Sequence, residues 1–381
     1  MREDDRHRLE QPYAADHDPG ERALARALDV GTPQLDILAD EILADFAVDP
    51  PYGIAWWAPH PGTSRRILIS DQLYSCVTSV SANLVEAALH RLEFLEAADR
   101  ESDQLANVVT IDKRGNPIVK MPRSRHAADD AIAHMADLHV VGVARALSAA
   151  LDCLGGAVIG VLALPSSMLR SDLDVARRVL ARLEDDQSAG RRRQIDVRTR
   201  LDALIAASGP DGWLPWLLAF RNMLVHRGRR LVVSQLVPRL PVMYGPDRRP
   251  VPRMRLVRHL PRDAGRSDIE VFLDHPTPPV LTEDSVQTID GVIRSTHALA
   301  ESVATLLLEI WRWRRENSAA LVQPREQWRD GQATQETAFR GYAEGTQPYD
   351  PSQLTGHPIL IRRMRAASLE DTIRGQWRTF D

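Results

Sequence analysis

The chain has 381 residues, enough for one large domain or two smaller ones, and its 44% hydrophobic content can supply a core. A net charge of −4 does not favour a nucleic-acid binder on bulk charge alone. Cys76 and Cys153, the two cysteines, both fall in apolar helical patterns. They predict buried thiols in a reducing compartment and argue against a disulfide scaffold. The polar first 20 residues carry no signal-peptide pattern, so we expect a cytoplasmic protein.

The N-terminal half is predicted to be mainly helical. Residues 1–20 are expected to be a disordered tail, and 21–70 a small element of short helices and a packed loop. Apolar residues at helical spacing predict long helices over 71–98 and 127–163. The most apolar run, 140–164, contains charged and small residues, which favours a core helix over a membrane span. Between the two helices, alternating β-branched residues predict a hairpin over 107–121.

The second half mixes helices with a β-rich insertion. Helices are predicted over 171–186, 192–207 and 212–227, the last after a break at Gly209-Pro210. Residues 230–282 are predicted to be a β-rich insertion, with strand-like runs at 231–233, 255–257 and 269–273. A long closing helix is expected within 283–320, followed by a polar C-terminal arm over 321–381. The fold class is therefore mainly α.

The helix over 212–227 carries the most informative motif of the chain, Arg221-Asn222-x-x-x-His226. An apolar stripe at helical spacing surrounds Arg221; its members are Leu214, Leu217, Leu218, Leu224 and Val225. A guanidinium on an inward stripe needs a buried partner or belongs to a site, because burying it alone is costly. Asn222 and His226 are four residues apart, so they share a helix face. Gly228 is a plausible C-cap.

This motif, late in a helix that follows two long apolar helices, resembles that of the HEPN superfamily. Members are all-α domains with an Arg-x4-6-His motif, and many are metal-independent ribonucleases in toxin–antitoxin, antiviral and RNA-processing systems. Others have lost catalysis and only bind. The resemblance implies a HEPN-like helical bundle with its core in 71–229 and its closing helix in 283–320. The insertion at 230–282 departs from a simple bundle order.

The residue chemistry suits RNA cleavage by the ribose 2′-hydroxyl. His226 can transfer protons near neutral pH, Arg221 can contact a phosphate through two nitrogens, and Asn222 can orient the imidazole or bind a phosphate oxygen. Five residues of ideal helix rotate by about 140°, so Arg221 and His226 do not share a face. Either the helix end unwinds or the two residues flank a groove. The resemblance implies that a second subunit completes such a groove, so we expect a homodimer.

Basic clusters form a second set of candidates. Arg227, Arg229 and Arg230 directly follow the motif and are the predicted RNA-binding residues. Other arginine runs lie at 191–193, 248–258 and 362–365, where solvated surface is the default interpretation. Few aromatic residues are interleaved with them for base stacking.

Other chemistries are weakly indicated. His134 and His139 lie five apart on one helix without a zinc-ligand pattern. Phosphate-loop, dinucleotide-binding and nucleophile-elbow motifs do not occur, so we expect no metal and no cofactor. Three alternatives stay open. They are a ribonuclease, a catalytically silent HEPN-like module that binds RNA, a nucleotide or a protein, and a structural scaffold in which Arg221 pairs with a buried carboxylate. For a toxin, the resemblance also implies a nucleotidyltransferase-like antitoxin as partner.

Overall fold

The computed structural model describes residues 31–46, 63–111, 117–119, 127–226, 233–244, 250–275, 277, 279–321 and 363. The described chain is mainly helical, as the sequence predicts. In chain order the helices are α1 (Pro33–Phe46), α2 (Thr63–Val108), α3 (Ala127–Val161), α4 (Leu173–Ala181), α5 (Ala189–Ala207), α6 (Trp213–His226), α7 (Asp268–Asp274) and α8 (Ser285–Glu316). The strands are β1 (Val109–Ile111), β2 (Pro117–Val119), β3 (Val233–Tyr244) and β4 (Pro250–His259).

Contacts group the chain into two compact units that are not continuous in sequence. The first unit comprises Met1–Gly31, Leu84–Leu147 and Gly212–Arg294. The second unit comprises Thr32–Asn83, Ser148–Asp211 and Ser295–Asp381. Each of the long helices α2, α3 and α8 therefore contributes one segment to each unit. Residues far apart in the chain thus belong to the same unit.

The first unit contains both antiparallel hairpins. β1 pairs with β2 from Val109 opposite Val119 to Ile111 opposite Pro117, which confirms the predicted hairpin there. β3 pairs with β4, beginning with Val233 opposite His259, and the register is interrupted between Arg239 and Met243. Each of these sheets has two strands in the described chain, so the strand part of the β-rich insertion is the β3–β4 pair.

One predicted strand is wrong, because residues 269–273 lie in helix α7. Ser267 precedes this helix, and its hydroxyl accepts a hydrogen bond from the backbone nitrogen of Glu270. The Glu270 carboxylate in turn accepts from the backbone nitrogen of Ser267 at 2.7 Å. This reciprocal capping box stabilises a helix start. It outweighs the β-branched composition of Ile269 and Val271, from which the strand was predicted.

The second unit is built from α1, α4, α5 and segments of the three long helices. Ser188 caps α5 by accepting from the backbone nitrogen of Arg191, and Asp172 caps α4 by accepting from Val175. Cys76 is buried and Cys153 is half-buried, and both are free thiols. Burial raises the pKa of Cys76 to about 12, so this thiol stays protonated at neutral pH.

By length and composition alone, one described helical segment, His134–Val161, could cross a membrane. Of its most apolar window, 72% is buried inside the fold, as it would be in the core helix of a soluble protein. The finding is therefore weak evidence for a membrane span.

Candidate functional site

Helix α6 carries the Arg-Asn-x-x-x-His motif and begins directly after a turn. Gly212 has φ +81°, a left-handed conformation that glycine adopts without steric cost, and Trp213 starts the helix. The helix runs from Trp213 to His226, close to the predicted bounds of 212–227. Its buried residues are Trp213, Leu214, Leu217, Phe220 and Met223. They follow three- and four-residue intervals and define the face that packs inward.

The position of Arg221 differs from the sequence prediction. Val225, assigned to the inward stripe, is 50% exposed, and Arg221 is half-buried beside the buried face. Trp213 and Phe220, which are 6% and 3% exposed, belong to the buried face of α6, and Val225 does not. Arg221 is thus at the edge of the packed surface, where its charged end can reach solvent.

Arg221 and Asn222 contact each other at this edge. Arg221 Nη1 donates a hydrogen bond to Asn222 Oδ1 at 3.0 Å, and Asn222 is exposed. Within the described residues, Arg221 makes no ion pair with a carboxylate. The structural alternative predicts a buried carboxylate partner for Arg221, and the described part of the chain contains none. A neutral amide does not itself compensate the positive charge of the guanidinium, and a guanidinium without a carboxylate partner favours binding of an anion.

His226 is the last residue of α6. Its side chain lies outside what the structure describes, and so do Arg227, Gly228, Arg229 and Arg230. The expected contact of His226 with Asn222 and the expected arginine track thus stay predictions. Of the three predicted catalytic residues, the structure brings Arg221 and Asn222 into contact.

Helix α6 is held by aromatic and apolar contacts within the first unit. Trp216 Nε1 donates to the backbone oxygen of Pro261 at 3.0 Å, and its ring stacks on Phe220 with centroids 4.6 Å apart. An apolar slot of about 10 Å³ lies between α3, α6 and α8. Its lining residues include Val140 of α3 and Ile289 of α8. The motif therefore sits on a helix fixed from two sides, which suits a site that must hold its geometry.

Four arginines of the other basic clusters bind carboxylates of the protein in the part of the chain that the structure describes. In the second unit, Arg193 Nη2 lies 3.2 Å from Glu309, and Arg191 Nε lies 3.7 Å from Asp186. In the same unit, Arg363 Nε donates to Asp71 Oδ2 at 2.7 Å. These arginines are neutralised locally, so they are poor candidates for a phosphate track.

Arg258, another member of these clusters, is buried in the first unit. Its Nη2 donates to Glu101 Oε2 and its Nη1 to Asp137 Oδ1, each at 2.5 Å. The residue is 9% exposed, and both of its Nη atoms bind carboxylates of the same unit. Sequence spacing could not reveal these partners, since they lie 157 and 121 positions away.

The histidines and acidic runs do not form a metal centre in the described chain. No group of three or more His, Cys, Asp or Glu side chains there could hold a metal ion. His139 faces His90 of α2, not the His134 with which the sequence groups it. Asp185 and Asp186 accept from the backbone nitrogens of Gln187 and Ser188, so they shape the turn before α5.

No known family model matches the chain, and neither curated proteins nor solved structures include a match to it. The resemblance to the HEPN superfamily therefore rests on the motif and on its place at the end of an apolar helix.

Proposed function

We propose that this protein is a metal-independent endoribonuclease of HEPN type. The observation that carries the proposal is the burial of Arg221 in α6 together with its hydrogen-bond partner. This guanidinium is half-buried, is bonded by the Asn222 amide and has no carboxylate partner among the described residues. The other clustered arginines with described ion pairs, such as Arg193 and Arg258, bind carboxylates. An arginine without that compensation is suited to bind a phosphate of the substrate.

In the proposed reaction, the ribose 2′-oxygen attacks the adjacent phosphorus and the 5′-oxygen of the next nucleotide leaves. His226 transfers the protons that this exchange requires, since an imidazole titrates near neutral pH. Arg221 stabilises the negative charge that develops on the phosphorane oxygens. Asn222 holds the guanidinium through its oxygen, and its amide nitrogen is then placed to donate to a phosphate oxygen.

The proposed site is shared between two copies of the chain. Arg221 and His226 are five residues apart on α6, which corresponds to a rotation of about 140° around an ideal helix. A single substrate phosphate is more easily reached by Arg221 of one copy and His226 of another. Arg227, Arg229 and Arg230, which follow in sequence, would extend the contact along the RNA backbone.

The resemblance supplies the biological setting of the proposal. A cytoplasmic toxin or defence effector fits a HEPN-type ribonuclease, and a nucleotidyltransferase-like antitoxin protein would be its partner. The proposed mechanism requires no metal and no cofactor, because the nucleophile belongs to the RNA itself.

A catalytically silent HEPN-like module is the second candidate. It is favoured by the ion pairs of the arginine clusters, because Arg191, Arg193, Arg258 and Arg363 are all bound to carboxylates. Together with the net charge of −4, this pairing leaves a limited basic surface for RNA. Such a module would use the end of α6 to bind a nucleotide or a protein.

Incubation with total RNA in EDTA separates the two candidates. We expect the full-length protein to cut RNA in EDTA, and to spare DNA and 2′-O-methyl RNA because both lack the attacking hydroxyl. His226→Ala is the catalytic control, and His134→Ala, at an exposed histidine of α3, is the matched control. RNA that stays intact with the unmodified protein would favour the silent module. Cleavage of DNA, or cleavage that EDTA abolishes, would contradict the mechanism.

A further inference from the structure

Two histidines meet where α2 and α3 pack in the first unit. His90 Nδ1 and His139 Nδ1 are 3.1 Å apart, and the ring centroids are 5.4 Å apart. Gly142 makes room for the pair, because a Cβ at this position would lie 2.5 Å from ring carbons of His90. His139 is 8% exposed, whereas about a third of the His90 side chain, 31%, is exposed. One histidine is therefore buried and the other reaches the surface.

The short distance between the two Nδ1 atoms leaves room for one hydrogen between them. In the neutral pair, one arrangement satisfies the visible contacts. His139 Nδ1 donates to His90 Nδ1, and His90 Nε2 carries the second hydrogen toward Glu86 Oε1, 3.8 Å away. His139 Nε2 then carries no hydrogen. This nitrogen is buried and has no hydrogen-bond partner in the described part of the chain, so a bare lone pair is the less costly state there.

A third hydrogen on the pair changes this arrangement. Because only one hydrogen fits between the Nδ1 atoms, both Nε2 atoms must then be protonated, whichever ring bears the charge. Protonation therefore places an N–H donor on the buried His139 Nε2, where no described acceptor meets it. A fourth hydrogen would set two N–H groups and two positive charges against each other across 3.1 Å. The folded arrangement thus selects the neutral pair.

The neighbouring charges do little to change the preference of the fold for the neutral histidine pair. Glu86 and Glu93 are on α2; Glu93 opposes the shift of the His139 pKa but does not reverse it. Burial lowers the pKa of His139 below 6.5, and the positive charge of His90 lowers it further. The charges next along α2 and α3 are bound elsewhere, Arg91 to Asp290 of α8 and Asp137 to Arg258 of β4.

We propose that the His90–His139 pair is an acid-sensitive switch, which holds the first-unit segments of α2 and α3 together while it is neutral and loosens them when it is protonated. The proposal does not depend on the ribonuclease function. The direction of the pH dependence of stability follows from the linkage between proton binding and folding. An unfolded chain takes up protons near the ordinary histidine value, whereas the folded pair resists them. The contribution to stability is complete above about pH 6.5 and falls as the pH drops toward the lowered pKa of the folded state.

Histidine NMR of the full-length protein tests the proposal directly. At pH 7 we expect His139 to be neutral with its hydrogen on Nδ1, and to titrate below the ordinary histidine value of about 6.5. The signal of His139 is assigned by its loss in His139→Leu. If His139 carries its hydrogen on Nε2, or titrates at the ordinary histidine value, the proposal is wrong.

Hydrogen exchange tests the mechanical consequence. We expect the protection of backbone amides against hydrogen exchange in 84–104 and 134–147 to fall on the order of tenfold between pH 7.5 and pH 5.5. The comparison uses protection factors corrected for intrinsic exchange rates. His134→Gln should keep this loss, and His139→Leu should abolish it because the leucine cannot be protonated. Equal protection at both pH values in the unmodified protein would overturn the proposal. If His139→Leu does not fold, NMR and exchange of the unmodified protein still decide the question.

Discussion

Arginines have different roles at the end of α6 and in the contact between α1 and α8. At the end of α6, Arg221 is bonded by the neutral amide of Asn222. Between α1 and α8, Arg315 Nε donates to Asp45 Oδ2 at 2.6 Å and Arg315 Nη2 to Glu41 Oε2 at 2.7 Å. Trp311 Nε1 adds a bond to the same Asp45 oxygen at 2.7 Å. The second region is a closed network of charges, whereas Arg221 has no carboxylate partner among the described residues.

This difference shows which arginines are available to a ligand. A guanidinium that two carboxylates already bind would have to lose them before it could bind a phosphate, so its role is to join helices. A guanidinium that an amide bonds keeps its net charge and loses little when an anion arrives. In an arginine-rich chain, the partner of each arginine is therefore more informative than its place in a basic run.

The largest effect is expected from His226→Ala, which tests whether the end of α6 performs chemistry. We expect cleavage to slow by about 100- to 10,000-fold, because a positioned acid–base group contributes that much. The products of the unmodified protein should end in a 2′,3′-cyclic phosphate and a 5′-hydroxyl. Single-turnover kinetics and end-group analysis of a short RNA measure both. An unchanged rate would remove His226 from the mechanism.

Arg258→Ala should have the largest effect on stability. It leaves Glu101, a 13% exposed side chain, without the guanidinium that binds it. Breaking a buried ion pair costs about 3–5 kcal/mol, and we expect a loss of free energy of unfolding in that range. Urea denaturation measures the loss. Arg262→Ala, at an exposed arginine after β4, is the control and should change stability by less than about 0.5 kcal/mol. Equal effects of both variants would contradict the distinction drawn here.

Asp45→Asn should have an intermediate effect. The Asp45 side chain is 8% exposed and accepts hydrogen bonds from Arg315 and Trp311. An asparagine keeps the shape but removes the charge, so we expect a loss of about 1.5–3 kcal/mol, the usual contribution of a hydrogen bond to a charged group. The exposed Asp40 of the same helix offers Asp40→Asn as the matched control in thermal denaturation. If Asp40→Asn lowers the stability as much as Asp45→Asn does, α1 responds to any loss of charge, which contradicts a specific role for Asp45.

The smallest effect is expected at Glu309, which binds Arg200 on the surface of the second unit. Hydrogen bonds from Arg200 lower the pKa of Glu309 below its ordinary value of 4.5. Its contribution to stability is therefore present above pH 4.5 and disappears as the pH falls through the lowered value. Since the side chain is 44% exposed, Glu309→Gln should cost only about 0.2–1 kcal/mol at pH 7. The two proteins should become equally stable in strong acid; a constant difference would contradict the linkage.

Helical spacing predicted most of the fold. Helices α3, α6 and α8 lie close to their predicted positions, since apolar periodicity over many residues is a strong signal. Helix α2 is longer at both ends than the predicted 71–98. The strand prediction at 269–273 failed because the capping chemistry of Ser267 and Glu270 was not weighed. Short apolar runs do not separate strand from helix, and only the cap decided between them.

The candidate site was predictable in its residues but not in its contacts. The motif spacing identifies Arg221, yet the apolar stripe places it inward, because that stripe omits Trp213 and Phe220 of the buried face. The partner of His139 could not be predicted, since His90 is 49 residues away and only tertiary packing brings the two rings together. The same holds for the carboxylates that bind Arg193 and Arg258.

The proposed ribonuclease activity requires that the charge of Arg221 is free for a substrate phosphate. RNA cleavage and thermal unfolding of Arg221→Ala, measured in parallel, test this requirement most directly. Arg198→Ala of α5 is the control, because Arg198 is also half-buried and lacks an ion pair in the described chain. We predict a loss of cleavage of about 100- to 1,000-fold with a free energy of unfolding within about 0.5 kcal/mol of the unmodified protein. A variant that cleaves RNA normally but unfolds as readily as Arg258→Ala would contradict the claim and identify Arg221 as a structural residue.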